Sequence, residues 1–164
     1  TAPGYPAYRN ILEALGLEPV PIALDAASGW IMTAEAVAAA HREAPLAGVL
    51  AMSPANPSGT MIGRDALAKL GAACRSLGLW FVSDEIYHGL TYEGAAETAL
   101  AVDEDAVIVN SFSKYYCMTG WRIGWLVVPA RAARVIERLA QNLYISPPFL
   151  SQVAALAAFE AGEE

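Results

Sequence analysis

The sequence predicts an α/β fold, a mostly parallel β-sheet with helices on both faces and a last strand that runs antiparallel. Short apolar runs start near residues 47, 79 and 106, and helical or irregular segments separate them. That alternation is typical of βαβ units. A final apolar run, 123–128, follows the previous one after only about a dozen residues, which is near the lower limit for a parallel crossover. Because those residues show no helical period, we expect this strand to be antiparallel.

The composition limits the class of protein. The 164 residues, 55% of them hydrophobic, are enough for one domain with a core. A net charge of −7 argues against a nucleic acid or an anionic membrane as partner. No apolar run reaches the ~20 residues that a membrane span requires. The two cysteines and two histidines are too scattered for a disulfide framework or a metal site, which favours free thiols and a cytoplasmic protein.

In the first half of the chain, individual residues mark where helices and strands begin and end. The first helix ends at Gly16, and the first strand should lie at a sheet edge because Pro21 cannot donate to a ladder. Thr33 is a candidate N-cap for the second helix, which Pro45 ends. Over the whole chain we expect helices at residues 8–15, 34–44, 64–77, 130–143 and 149–161, and strands at 19–24, 47–52, 79–83, 106–109 and 123–128.

The later elements follow from the same rules. The run 47–52 is apolar throughout, as expected of a strand that is buried on both faces. The third helix carries apolar residues at helical spacing and stops at Gly78. The pair Pro147 and Pro148 separates the last two helices. We expect three tryptophans to be in the core: Trp80, Trp121 and Trp125.

The stretch 110–122 carries the strongest chemical signal. Ser111 and Ser113 flank the approach to Lys114, and Arg122 follows eight residues later. Hydroxyls and a guanidinium together suit a phosphate group. A lysine beside a cation and partly out of water loses its proton more easily and becomes a nucleophile. These residues therefore predict a Schiff-base lysine next to a phosphate clamp.

Two other strand ends carry polar residues. Asn56 follows the run 47–52, and Asp84 and Tyr87 follow the run 79–83. The carboxyl ends of parallel strands meet at one edge of a sheet, so we expect these groups to face the lysine stretch. Each also has a structural reading that stays open: an Asx turn for Asn56, a helix cap for Asp84 and an ordinary half-buried aromatic for Tyr87. Glu85 is expected to be a solvated charge or to support the site.

The lysine motif, Ser-x-Ser-Lys with arginine inside Thr-Gly-Trp-Arg-Ile-Gly, resembles that of class I/II aminotransferases, which are fold-type I pyridoxal-phosphate enzymes. Pro-Gly-Tyr-Pro, Asn-Pro-Ser-Gly-Thr and Ser-Asp-Glu-Ile-Tyr resemble further motifs of this family, in the family's order. The resemblance implies the large-domain fold of these transferases and pyridoxal 5′-phosphate as cofactor. It also implies transamination between an L-amino acid and a 2-oxo acid.

The resemblance assigns a role to eight residues. The catalytic group would be Lys114, as the Schiff-base lysine, with Asp84 on the cofactor's ring nitrogen and Tyr87 on its ring oxygen. The remaining cofactor-binding residues would be Tyr5 stacked on the ring, Asn56 on the ring oxygen, and Ser111, Ser113 and Arg122 on the phosphate. No metal is implied.

The resemblance also sets the context of the chain. Residues 1–164 would be part of the cofactor-binding large domain, with an N-terminal segment and a C-terminal small domain outside them, and the full-length protein would be a homodimer. We expect residues 1–164 alone to be inactive. Two alternatives stay open: a related lyase or decarboxylase that uses the same lysine, and the effector-binding domain of an aminotransferase-like transcription regulator.

Overall fold

A computed structural model describes residues 1–161 of the chain, and the elements within this range follow the expected order. They are α1 (Pro6–Ala14), α2 (Ala34–Glu43), β1 (Gly48–Met52), α3 (Arg64–Ser76), β2 (Trp80–Asp84), β3 (Val107–Ser111), β4 (Gly124–Val127), α4 (Ala130–Leu143) and α5 (Phe149–Glu160), with short 3₁₀ turns at Ala99–Ala101 and Thr119–Trp121. Thr33 caps α2 as predicted, its side chain accepting a hydrogen bond from the backbone N–H of Ala36.

The four strands form one sheet in the order β1-β2-β3-β4. The pairs β1–β2 and β2–β3 are parallel, and β3–β4 is antiparallel. The predicted fold class is therefore confirmed, including the reversed last strand. In the register, Met52 pairs with Asp84 and Asp84 pairs with Val109. The carboxyl ends of the three parallel strands consequently lie at the same edge of the sheet.

The main core lies between the sheet and helices α2 and α3. Helix α3 buries its predicted apolar face, and α2 buries Val37; the buried side chains of this core include Val37, Leu67, Leu70, Cys74, Phe81 and Ile108. Each such side chain contributes about 1.5–3 kcal/mol when fully buried. A smaller cluster packs α5 against Phe112 and Met118 through Ala155. The sheet edge that carries the polar residues is thus built on a well-packed base.

Two expectations about the elements were wrong. Residues 19–24 form no strand of the sheet; one isolated bridge joins Ala23 to Ala2. Prolines at 19 and 21 offer no N–H for a ladder, so only the residues around Ala23 can pair. Trp80 and Trp121 are 43% and 46% exposed rather than buried. The ring of Trp80 lies 4.8 Å from the guanidinium carbon of Arg131, a cation–π contact at the surface.

Helix α4 differs from α2 and α3 because none of its residues is buried. Its sequence is strongly amphipathic, yet Val135, Leu139 and Leu143 are all exposed.

Trp125, the third tryptophan expected in the core, is half-buried with its ring centroid 5.1 Å from that of Phe112. None of the helices within residues 1–161 has the length and apolar content needed to cross a bilayer.

Candidate active site

The first part of the candidate site is the end of strand β2. Asp84 is the last residue of the strand and is 9% exposed. One carboxylate oxygen accepts the backbone N–H of Ile86 at 3.0 Å, and the other accepts the hydroxyl of Tyr8. Hydrogen-bond donors to both oxygens fix the orientation of this carboxyl group. The end of β2 therefore supplies an acidic side chain held in a fixed orientation.

Tyr8 is a residue of this site that the sequence prediction missed. It lies in α1, three positions after Tyr5, and the centroids of the two rings are 5.5 Å apart in an edge-on arrangement. Burial, followed by the hydrogen bond to Asp84, raises the pKa of the Tyr8 phenol well above its ordinary value. The available signal was the spacing Tyr-Pro-x-Tyr, because residues three apart share one face of a helix. Tyr5 itself is 46% exposed.

The second part is a cavity of about 520 Å³ beside the sheet edge. Asn56 and Tyr87 both line it, together with apolar side chains that include Met61 and Leu90. The amine nitrogen of Lys114 lies 5.6 Å from the ring centroid of Tyr87. The structure thus places the amide and the phenol in the wall of one cavity and the amine beside the phenol, although Lys114 does not itself line that cavity.

The third part is the lysine loop, residues 112–123, which joins β3 to β4. The Ser111 hydroxyl lies 3.0 Å from the Ser113 hydroxyl and also accepts the Ser113 backbone N–H at 3.0 Å. The Thr119 hydroxyl donates to the Ser113 carbonyl at 2.9 Å, and the Arg122 guanidinium donates to the Thr119 carbonyl at 2.8 Å. The two serines and the arginine are therefore connected through Thr119. None of the ion pairs within residues 1–161 uses Arg122.

The backbone of the lysine loop is unusual. Cys117 and Arg122 adopt left-handed conformations, with φ of 54° and 51°. Residues other than glycine rarely adopt this region, and it is enriched at functional sites. Directly after the loop, a Cβ on Gly124 would lie 2.5 Å from the backbone oxygen of Asn110. Glycine at this position therefore allows β4 to approach the end of β3 closely.

Glu85 is 3% exposed, so the first of its two expected roles, a solvated charge, is wrong; it lies buried next to Asp84. One carboxylate oxygen accepts hydrogen bonds from the Ser83 hydroxyl at 3.1 Å, the Thr98 hydroxyl at 3.1 Å and the Ala99 backbone N–H at 2.8 Å. The nearest histidine nitrogen, that of His88, lies 3.6 Å from the other oxygen. Glu85 thus ties the end of β2 to the 3₁₀ turn at Ala99–Ala101.

The donor set fits the group that the motifs imply. Pyridoxal phosphate needs a carboxylate for its ring nitrogen, donors for its ring oxygen, an amine for its aldehyde, and hydroxyls with a cation for its phosphate. Asp84 is buried, and the loops that carry Asn56 and Lys114 leave the same edge of the sheet. Within residues 1–161 no cluster of three or more histidine, cysteine or acidic side chains is arranged to hold a metal ion.

Comparison with known proteins gives the family. The family model described as aminotransferase class I and II matches residues 1–164. The chain belongs to the class I and II aminotransferases. Members of this family use pyridoxal phosphate. The resemblance that the motifs suggested is therefore confirmed, and the sheet found here is the core of an aspartate-aminotransferase type of fold.

Relatives of this aminotransferase chain are known in bacteria and archaea. It is 49% identical over 160 residues to a valine–pyruvate aminotransferase of Mycobacterium tuberculosis, covering 96% of this chain and 41% of that protein. It is 38% identical to a (5-formylfuran-3-yl)methyl phosphate transaminase of Methanocaldococcus jannaschii, covering 99% of this chain and 41% of that protein. The chain thus spans about two fifths of the length of these curated relatives.

Solved structures agree with the fold. A crystal structure of an aminotransferase from Mycobacterium tuberculosis, 49% identical, superposes with a TM-score of 0.90 over 96% of this chain and 41% of that one. A mutant aspartate aminotransferase of Thermus thermophilus, 27% identical, superposes with a TM-score of 0.90 over 97% of this chain and 44% of that one. The fold is therefore retained at much lower sequence identity.

Proposed function

We propose that the protein is a pyridoxal-phosphate-dependent aminotransferase that moves an amino group from an L-amino acid to a 2-oxo acid. The observation that carries this proposal is the position of Lys114, 5.6 Å from the Tyr87 ring at the edge of the sheet where Asp84 is buried. Family membership and relatives named valine–pyruvate aminotransferase and arginine–pyruvate transaminase support the reaction class.

Each part of the site has a task in binding the cofactor. The Asp84 carboxylate would face the ring nitrogen, where a negative charge favours the protonated ring. The phenol of Tyr87 and the amide of Asn56, both in the wall of the cavity, would bind the ring oxygen. The remaining contacts would be Tyr5 against the ring face and Ser111, Ser113 and Arg122 on the phosphate.

Lys114 has two tasks in this proposal. Its amine would bind the aldehyde carbon of the cofactor, and pyridoxal phosphate when bound supplies the electron sink for the reaction. Once an incoming amino group displaces it, the free amine would remove the proton from the substrate Cα. It would then deliver this proton to the carbon of the cofactor that carried the aldehyde. The Tyr87 ring centroid lies 5.6 Å from the nitrogen of this amine.

We further propose that residues 1–164 are part of the cofactor-binding large domain of a cytoplasmic homodimer. Coverage of about 41% of the length of the relatives supports a partial domain. The substrates would be an amino acid and a 2-oxo acid, and the net charge of −7 argues against a nucleic-acid partner.

The test uses the chain's two lysines, Lys114 and Lys69. In the full-length protein with pyridoxal phosphate, Lys114→Ala should abolish the absorbance band of the lysine-bound cofactor. It should also lower kcat by at least about a thousandfold, because the proton-transferring group is lost. Lys69 is exposed on α3, so Lys69→Ala should change neither property.

Product analysis separates the proposed reaction from its alternatives. Transamination requires that the amino donor become a 2-oxo acid while a 2-oxo acid acceptor becomes an amino acid. Release of carbon dioxide or of an elimination product would instead indicate a decarboxylase or lyase. An absorbance band that persists in Lys114→Ala would reject the assignment of the lysine.

A further inference from the structure

The hydroxyl of Tyr8 contacts the ends of two strands, at Asp84 and Met52. It donates to Asp84 and lies 3.3 Å from the sulfur of Met52. A hydroxyl has a single hydrogen, and a carboxylate is a far stronger acceptor than a thioether. The proton of Tyr8 is therefore directed at Asp84. Met52 pairs with Asp84 in the sheet, so the phenol spans the ends of β1 and β2.

The same ring also contacts Tyr5. Helix α1 begins at Pro6, and Tyr5 is its N-cap residue. The backbone N–H of Tyr8 donates to the Tyr5 carbonyl at 3.2 Å, which fixes the two residues one turn apart. Their rings meet at an interplanar angle of 80°, a favourable edge-to-face geometry. The orientation of the exposed Tyr5 ring is thus set against the half-buried Tyr8 ring.

The protonation state of Tyr8 is consistent with a permanent donor. Burial is the largest cause that raises the pKa of its phenol, and the hydrogen bond and negative charge of Asp84 add to this effect. Tyr5 and Tyr87, the other titratable groups that act on it, raise the pKa further. The hydroxyl therefore keeps its proton throughout the pH range in which an enzyme of this class works.

We propose that Tyr8 is a positioning residue that orients two cofactor contacts at once, the carboxylate of Asp84 and the ring of Tyr5. This inference rests on the proposed function, because it assumes that both residues face pyridoxal phosphate. The donated hydrogen bond fixes the orientation of the Asp84 carboxyl group. The edge-to-face contact fixes the orientation of the Tyr5 ring, which would cover the face of the cofactor. A single phenol would then couple the charge at the ring nitrogen to the packing on the ring face.

The test separates the hydroxyl from the ring. In the full-length holoenzyme, Tyr8→Phe keeps the ring and removes the donor, whereas Tyr8→Leu removes both. Loss of a hydrogen bond to a charged group should lower kcat by about 10- to 100-fold in Tyr8→Phe, with KM for the amino donor changed less than about threefold. In the apoprotein, titration with pyridoxal phosphate should give a weaker Kd for Tyr8→Phe and a still weaker one for Tyr8→Leu.

Two controls distinguish positioning from a purely structural role. Tyr144 is exposed at the end of α4, so Tyr144→Phe should leave kcat, KM and Kd unchanged. When Asp84→Asn is already present, Tyr8→Phe should lower kcat by less than about a further threefold, because the two groups act through one contact. If Tyr8 were purely structural, Tyr8→Phe would instead lower the midpoint of thermal unfolding. It would also lower kcat by the same factor with and without Asp84→Asn.

The failures of the two proposals are distinguishable. If Tyr8→Phe binds pyridoxal phosphate as tightly and turns over as fast as the unchanged protein, Tyr8 has no positioning role, and the proposed aminotransferase activity still stands. If the unchanged protein binds the cofactor without transaminating any amino acid, the proposed function fails, and the shift in Kd for Tyr8→Phe tests the positioning role by itself.

Discussion

The end of strand β2 and the lysine loop bring their functional groups to the same sheet edge in different ways. Asp84 and Glu85 are 9% and 3% exposed, and each is held by donors from distant parts of the chain, Tyr8 and Thr98. The hydrogen bonds of the two serines and Thr119 in the lysine loop are short-range, two loop residues are left-handed, and one long-range hydrogen bond joins the Ser151 hydroxyl to the Trp121 carbonyl. The acidic part of the site thus relies more on tertiary side-chain contacts, and the amine part relies more on local backbone geometry.

The largest expected effect comes from removing Glu85. In Glu85→Ala, the Ser83 and Thr98 hydroxyls and the Ala99 N–H would lose their shared acceptor inside the protein. Leaving a buried donor without an acceptor typically costs about 1–3 kcal/mol, and three donors are affected here. We expect the free energy of unfolding to fall by about 3 kcal/mol or more, as measured by urea denaturation of the full-length protein.

Glu85→Gln is the matched control, because its amide oxygen can still accept hydrogen bonds from the same groups. It should lose less than half as much stability as Glu85→Ala. A free energy of unfolding for Glu85→Ala within about 0.5 kcal/mol of that of the unchanged protein would match a typical surface substitution. In that case the end of β2 is not held by this carboxylate. The contrast between the two regions would then not hold.

The next effect tests the backbone of the lysine loop. A Cβ at position 124 would lie 2.5 Å from the Asn110 oxygen and 3.2 Å from the Ser111 Cα. Because backbone atoms cannot rotate away as a side chain can, Gly124→Ala should push β4 from β3 and cost about 1–3 kcal/mol. It should also weaken binding of pyridoxal phosphate, since Ser111 is one of the proposed phosphate contacts.

Gly120 provides the control within the same loop. A Cβ there would meet no atom within 4 Å, and its backbone does not require glycine. Gly120→Ala should therefore change stability and cofactor affinity little. Equal losses in Gly120→Ala and Gly124→Ala would show that the loop responds to any added methyl group and not to the close approach of β4.

The sequence predicted most of the fold because the signals it uses are local. Apolar runs and the residues that end them placed β1 and α3 within a few residues of their observed positions. The short connection before β4 predicted its direction. The predicted strand at 19–24 was wrong because Pro19 and Pro21 offer no N–H for a ladder, which leaves one isolated bridge at Ala23. The expectation that Trp80 and Trp121 lie in the core was wrong because hydrophobicity alone does not tell which face a ring occupies.

The candidate site was predicted unevenly for the same reason. The eight proposed residues stand in motifs that can be read along the chain. The structural role of Glu85 and the contact of Tyr8 with Asp84 arise only when distant segments pack together. A charged residue after a strand is usually solvated, so nothing local indicated that Glu85 would be 3% exposed. Local patterns thus name the groups that can react, and tertiary packing determines which neighbours hold them.

The smallest expected effect leaves the fold intact and compares the two cysteines. Cys74 in α3 is 1% exposed, and burial, with the nearby charge of Asp103, raises the pKa of its thiol to about 11. At pH 8 only about one such thiol in a thousand is a reactive thiolate, a fraction that rises as the pH approaches 11. Cys117 in the lysine loop is exposed. Iodoacetamide should therefore modify Cys117 and spare Cys74, as read by peptide mass spectrometry.

Cys117→Ser should remove this labelling without exposing Cys74, and labelling in concentrated urea should reach Cys74 as well. Raising the pH from 8 to 10 in the folded protein tests the cause of the protection. If the raised pKa alone protects Cys74, its labelling should increase about tenfold per pH unit, because the thiolate fraction does. If labelling stays negligible at both pH values, packing under the sheet excludes the reagent. Equal labelling of both cysteines at pH 8 would contradict the buried position of Cys74 in α3 and, with it, the packed base on which the candidate site is built.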